Sequence, residues 1–313
     1  MFSYRHAFHA GNHADVLKHT VLLAMLKHLT EKEAPLTVVD THAGAGLYRL
    51  DGDYASTSGE ASEGVLRLFL QPNITQALVK ASGVATETIA PALQDYLDLV
   101  RSFNTSGQVK VYPGSPFVVH QLLRAQDKLK LFELHPADSR ALAGNIAQLE
   151  AGRQIAVLSE DGFEGLKKFI PPPARRALVL CDPSYEMKTD YARVLTMAAD
   201  ALKRFATGTY AVWYPVIPRP EAHDLPRRLK TIATKAGKPW LHATLAIKSG
   251  KPPLATDKVN SGEKAQRPGL TASGMFIVNP PFSLKPALAA ALPQLVALLG
   301  QDSSARFSLE SAG

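Results

Sequence analysis

Short apolar runs alternate with helical stretches along most of this chain, and that alternation restricts the fold more than any other feature. Asn12 to Leu29 reads as a helix, with Leu17, Val21, Met25 and Leu29 recurring every fourth residue and Asn12 or Asp15 available as its cap. Leu36 to Asp40 reads as a strand. The pattern resumes with strands at Leu129–Leu134, Gln154–Leu158, Ala177–Cys181 and Thr209–Tyr214, interleaved with helices at Ala137–Leu149, Phe163–Phe169 and Tyr191–Phe205. Such alternation implies right-handed βαβ crossovers and a parallel sheet covered by helices on both faces, an α/β fold. Leu241–Ile247 and Met275–Val278 read as two further strands. Residues 1–300 are expected to form one domain, with a helical insertion over about residues 52–107. The Lys-, Gly- and Pro-rich stretch SGKPPLATDKVNSGEKAQRPG is expected to be a long mobile loop, and residues 301–313 a flexible tail.

In an open α/β sheet, ligands bind at the carboxyl ends of the strands. The residues that follow each strand here are unusually polar. After the first comes Asp40-Thr41-His42-Ala43-Gly44-Ala45-Gly46, a turn whose small residues allow a ligand close to the backbone. It lacks the third glycine that a dinucleotide fingerprint needs at a helix start, so a nicotinamide cofactor is disfavoured. Glu133 stands at the end of the second strand, where a carboxylate can accept hydrogen bonds from a ribose diol or cap the next helix. Asp161-Gly162 follows the third: Asp161 could accept from an adenine amino group, with Gly162 leaving room for the ring, or could make an Asx turn.

The fourth strand, Ala177 to Cys181, ends in Asp182-Pro183-Ser184-Tyr185. An exocyclic amine on a base is a poor nucleophile because its lone pair is delocalised into the ring. The Asp182 carboxylate and the Pro183 carbonyl, both accepting from that amine, would draw it toward tetrahedral geometry. Tyr185, read as an exposed aromatic, could stack on a flipped-out base, or its ring could pack on the core. Cys181 reads as a buried small hydrophobe.

Charge points the same way. The net charge of the 313-residue chain is +7, yet residues 203–268 hold 13 Lys and Arg against 4 Asp and Glu. That local balance of +9 suggests a docked polyanion. A single cysteine leaves no disulfide framework, and no apolar run approaches the roughly 18 residues of a membrane span, so a cytoplasmic protein is expected. His9, His13 and His19 show no HExxH spacing and no CxxC pair exists, so no metal is expected.

The stretches SYRHAFHAGNHADVLKH, DTHAGAG, YPGSP, ELHP, DGF, DPSYEMKTDY, KRFATGTYAVWYP and TASGMFIVNPP occur in that order between Phe2 and about Phe282. In order and spacing they resemble the bacterial 23S rRNA adenine-N6 methyltransferase family RlmJ. The resemblance implies a Rossmann-like class I methyltransferase sheet with a small helical insertion, S-adenosylmethionine as methyl donor, and 23S ribosomal RNA as partner. It also implies cofactor contacts at His19, His42, Ser115, Glu133, Asp161, Gly162 and Asp182, with Asp182 as the catalytic carboxylate. Tyr4, His6 and Lys18, together with Pro183 and Tyr185, would face the target adenine. Ser184 stands where that family usually has proline. A monomer is expected, and a DNA adenine-N6 methyltransferase or a nucleic-acid-binding protein with a decayed cofactor site are the alternatives.

Overall fold

The Asn12–Leu29 periodicity becomes α1 (His13–Glu31), capped by Asn12, whose Oδ1 accepts from the amides of Ala14 and Asp15 at 3.0 Å. A computed structural model describes residues 6–52, 59–70, 74–76, 78, 88–249 and 269–313. From His13 to Leu23 α1 is buried on every side, as befits a helix wedged between layers. That buries His13, Asp15, Lys18 and His19 along with the apolar stripe. Placing ionisable groups there is costly and calls for partners.

After α1 come β1 (Thr37–Asp40), β2 (Leu47–Arg49), α2 (Val65–Phe69), α3 (Pro91–Ser102), β3 (Val111–Pro113) and α4 (Ser115–His120). The alternating half follows: β4 (Lys128–Phe132), α5 (Pro136–Ala147), β5 (Ile155–Leu158), α6 (Gly162–Gly165), β6 (Ala177–Cys181), α7 (Thr189–Arg204) and β7 (Thr209–Pro215). The chain continues with α8 (Pro220–Lys235), β8 (Trp240–Ala246), β9 (Ala272–Val278), α9 (Leu284–Leu299) and β10 (Arg306–Ala312). The main sheet runs β10-β8-β9-β7-β6-β1-β4-β5. Its β5-β4-β1-β6-β7 half is parallel, in the doubly wound order that reverses at β1, and the remaining pairings are antiparallel. Successive strand residues alternate between two cores. Val38, Leu178 and Leu180 face α1, α3 and α9, while Val39, Val179 and Cys181 face α7 and α8.

Three expectations need correcting. The tail is not disordered in its second half: β10 pairs with β8 from Arg306↔Ala246 to Ala312↔Trp240 and covers that edge of the sheet. Periodicity also leaves out α8 and α9, each of which carries an internal proline, Pro226 or Pro293. In the inserted region the described helices α2 and α3 are flanked by a small two-stranded sheet, β2 with β3, that the sequence pattern does not suggest.

The basic stretch divides. Helix α8 starts beside the carboxyl end of β7 and runs toward Trp240, which pairs with Val278 at the opposite end of the sheet. Arg227 and Arg228 pair with Asp224, and Lys230 pairs with Glu310 at 2.5 Å while sitting 4.9 Å from the Trp240 ring. These cations are therefore engaged locally. The expected mobile loop lies, except for its ends, outside the described residues. Its flanks, Ile247 and Thr271, meet through an amide-to-carbonyl bond of 3.0 Å at the corner end of β8 and β9.

Candidate active site

The carboxyl ends of β1, β4, β5 and β6 converge on a cavity of about 350 Å³. The turn after β1 crosses between neighbouring strands, since Thr41 donates its amide to Leu180 and Ala43 donates to Phe132. Asp40, fully buried at its start, accepts from Ser115 Oγ at 2.6 Å. Burial raises the Asp40 carboxyl to about 6 despite that bond.

His19, His42, Ser115, Glu133, Asp161, Gly162 and Asp182 all line this cavity, as do His6, Lys18 and Pro183. Residues from Pro183 back to His6 thus reach one place from seven chain segments. Glu133 accepts from the Gly44 and His135 amides at 2.8 and 2.7 Å, and burial lifts its carboxyl above the ordinary range. His42 Nδ1 lies 2.8 Å from Thr41 Oγ1, and His19 Nδ1 lies 2.9 Å from the Tyr112 hydroxyl. Burial pushes both imidazoles down to about 3, so both are neutral. His19 Nε2 is buried with no hydrogen-bond partner.

Two corners differ from their sequence reading. Asp161 caps α6 through the Phe163 amide at 3.0 Å, and its other oxygen accepts from Arg193 at 2.5 Å. Burial acts to raise that carboxyl, but Arg193 outweighs it and holds it low. Arg193, from the first half of α7, also sits 4.4 Å from the Phe163 ring, and no strand-end pattern would single it out. Gly162 is needed for close packing of two corners: a Cβ there would overlap the Thr41 carbonyl oxygen.

Tyr185 is the clear correction. It is 2% exposed, its hydroxyl donates to the Trp213 carbonyl at 2.7 Å, and its ring packs 4.6 Å from Tyr191. A φ of 54° turns the side chain inward, and Arg219 fixes the turn by donating to the Tyr185 carbonyl at 2.9 Å. Its ring offers no open face to a base. Tyr4 lies outside the described residues. Cys181 is buried as expected, and burial pushes its thiol up.

A second cavity, of about 320 Å³, adjoins the first. His6, Lys18, Asp182 and Ser184 line both; Trp213, Pro215 and Leu270 give the second its apolar wall. Lys18 joins Asp182 to Asp15, with its Nζ 2.9 Å from Asp15 Oδ1. Burial acts to lower the Lys18 pKa, but the two carboxylates overcome it and leave the ammonium well above its ordinary pKa. Ser184 is exposed, and among the described residues its hydroxyl meets the Glu186 amide, at 3.5 Å. Ser184→Pro is therefore expected to keep activity within about threefold, because the turn already suits proline. A steady-state methylation assay showing a larger loss would give the hydroxyl a substrate contact.

The residues fit S-adenosylmethionine. The cavity is rich in acceptors (Glu133, Asp161 and Asp182), which suit a cationic donor bearing ribose hydroxyls, and the unpartnered His19 Nε2 has a hydrogen bond to give or take. Among the described residues no group of three or more His, Cys, Asp or Glu could hold a metal ion, and no helix is long and apolar enough to cross a membrane.

Residues 33–310 match the family described as Ribosomal RNA large subunit methyltransferase D, RlmJ. Over 296 residues the chain is 41% identical to Ribosomal RNA large subunit methyltransferase J of Escherichia coli (strain K12), covering 94% of this chain and 93% of that protein. It is 36% identical over 311 residues to the Haemophilus influenzae protein of the same name, covering 99% and 98%. The crystal structure of protein LPL1258 from Legionella pneumophila superposes with a TM-score of 0.78 at 29% identity, covering 97% of this chain and 98% of that one.

Proposed function

We propose, from the premise that the chain belongs to the RlmJ family of ribosomal RNA large subunit methyltransferases, that it methylates the N6 amino group of an adenine in 23S ribosomal RNA. The protein is an S-adenosylmethionine-dependent ribosomal RNA methyltransferase. The N6 position, the residue roles and a cytoplasmic location, where that RNA is found, are our inference. So is the single catalytic domain with its insertion.

One observation carries the reading: Asp182 and Ser184 lie on the shared wall of two adjoining cavities. The bound cofactor supplies an electrophilic methyl group from the first. The target base would enter the second, where Trp213 rather than Tyr185 offers a ring to stack on. Asp182 has two acceptor oxygens. Lys18 takes Oδ2, which leaves Oδ1 for the amine, and the Pro183 carbonyl provides the other acceptor. Together they would orient the nitrogen lone pair. Lys18, held as a cation, stays paired with the Asp182 carboxylate at the place where the amine must be received. Glu133, with one lone pair per oxygen committed to backbone amides, still has lone pairs for a ribose diol.

Two measurements test this. Incubation with 23S rRNA and labelled cofactor, followed by nucleoside mass spectrometry, should yield N6-methyladenosine; a ring-methylated isomer would overturn the assignment. Glu133→Ala should weaken cofactor binding by about 1.5–3 kcal/mol, the range for a hydrogen bond to a charged group. Equal affinity by calorimetry would remove Glu133 from the cofactor site.

A further inference from the structure

Asp15 is 2% exposed, and none of the chemistry above uses it. Its Oδ2 accepts from His6 Nε2 at 3.0 Å and from the Gly11 amide at 2.9 Å. Its Oδ1 faces Lys18 Nζ at 2.9 Å, and Lys18 reaches on to Asp182. Capping does not explain this carboxylate, because Asn12 already caps α1. Packing does not either: an apolar side chain would fill the space without the desolvation cost of a buried ion. What Asp15 uniquely does is tie together His6 and Lys18, two side chains that line both cavities.

We propose that Asp15 is a positioning residue for methyl transfer, holding Lys18 against Asp182 and His6 at the junction of the two cavities before RNA arrives. The proposal rests on the role given to Asp182 above. Fixing Lys18 between two carboxylates fixes the rotamer of the acceptor, and a carboxylate turned away from the amine would have to reorient in every turnover. Asp15 forms part of the second cavity's wall but is 2% exposed, with both carboxylate oxygens already engaged, so it acts through Lys18 and His6. Among the described residues, the charged and titratable groups around Lys18 are Asp15 and His19 on α1, His6 from the N-terminal turn, Asp40 after β1, Tyr48 on β2 and Asp182 after β6, with the Trp213 ring 5.9 Å away.

Asp15→Asn removes one of the two charges that face the buried ammonium and keeps the shape. We expect kcat for RNA methylation to fall about 100-fold while KM and cofactor affinity stay within about threefold. The alkaline limb of the kcat profile should move down by about one pH unit or more, because Lys18 then has a single carboxylate against its desolvation. Asp15→Glu, which restores the charge, should return that limb to the wild-type position. A purely structural Asp15 would lower stability and leave the pH profile where it was. Wild-type kcat with an unshifted profile in Asp15→Asn overturns the proposal. Should that variant fail to fold, nitrogen NMR of His6 in the unmodified protein decides: a proton on Nε2 is required for the bond to Asp15, and an Nδ1–H tautomer overturns it. Failure of the underlying reading looks different, since Asp182→Ala would then keep its activity.

Discussion

Asp182→Ala is expected to fold, to bind S-adenosylmethionine, and to lose at least about 1,000-fold in kcat for methyl transfer to ribosomal RNA. The size follows from what the carboxylate has to do. An adenine amine attacks poorly until its hydrogens are drawn toward acceptors, and water that replaces the side chain is neither fixed nor charged. Asp182→Asn sharpens the test. Lys18 already occupies one oxygen of Asp182, so an amide would offer one acceptor to two donors. We expect it to be nearly as inactive as the alanine variant. Single-turnover assays at saturating cofactor isolate the chemical step, and turnover within about tenfold of wild type in either variant would reduce Asp182 to a structural turn residue.

The second large effect is on stability. Burial holds four histidines neutral well below their ordinary pKa: His13 and His242 at about 4, His19 and His42 at about 3. Each gains its proton in the unfolded chain near pH 6.5 but in the folded one only at those lower values. Below pH 6.5 the unfolded state therefore binds more protons, and folding weakens as pH falls, by up to about 1.4 kcal/mol per histidine per pH unit. Asp40, raised to about 6, works in the opposite direction, as do the raised Glu133 and His9. The four histidines outweigh these opposing groups, so folding should weaken between pH 7 and pH 5. Urea unfolding of the cofactor-free protein at half-unit pH steps measures it. A midpoint that is flat over this range would mean that these imidazoles take up protons in the folded protein.

The strand corners were legible because each places a polar residue after an apolar run, and a short buried strand constrains its next residue strongly. Glu133, Asp161 and Asp182 needed no more than that. His42 stood in the polar turn after the first strand, though its cofactor role came only from the resemblance. His19 and Ser115 carried no such mark, since a histidine within a helix period says nothing about which neighbours will bury it. Tyr185 misled because its inward turn depends on a left-handed backbone angle and on Arg219, which is 34 residues away. Asp15 was read as a possible cap, and only the packed fold shows it between His6 and Lys18. In the same way β10 depends on a pairing with β8, some 60 residues earlier, that no local pattern encodes.

The contact between Gly162 and Thr41 has a bearing on how this pocket could change over generations. The two corners meet backbone to backbone, with no side chain between them that substitution could enlarge or trim. That wall is closed to gradual variation. The cavity is also lined by Leu134 and Met187, both exposed, and at such a rim side chains can be exchanged without disturbing the core. Drift in what the cavity admits would have to enter from that rim, so related enzymes with altered cofactor tolerance should differ there first and keep glycine at the corner.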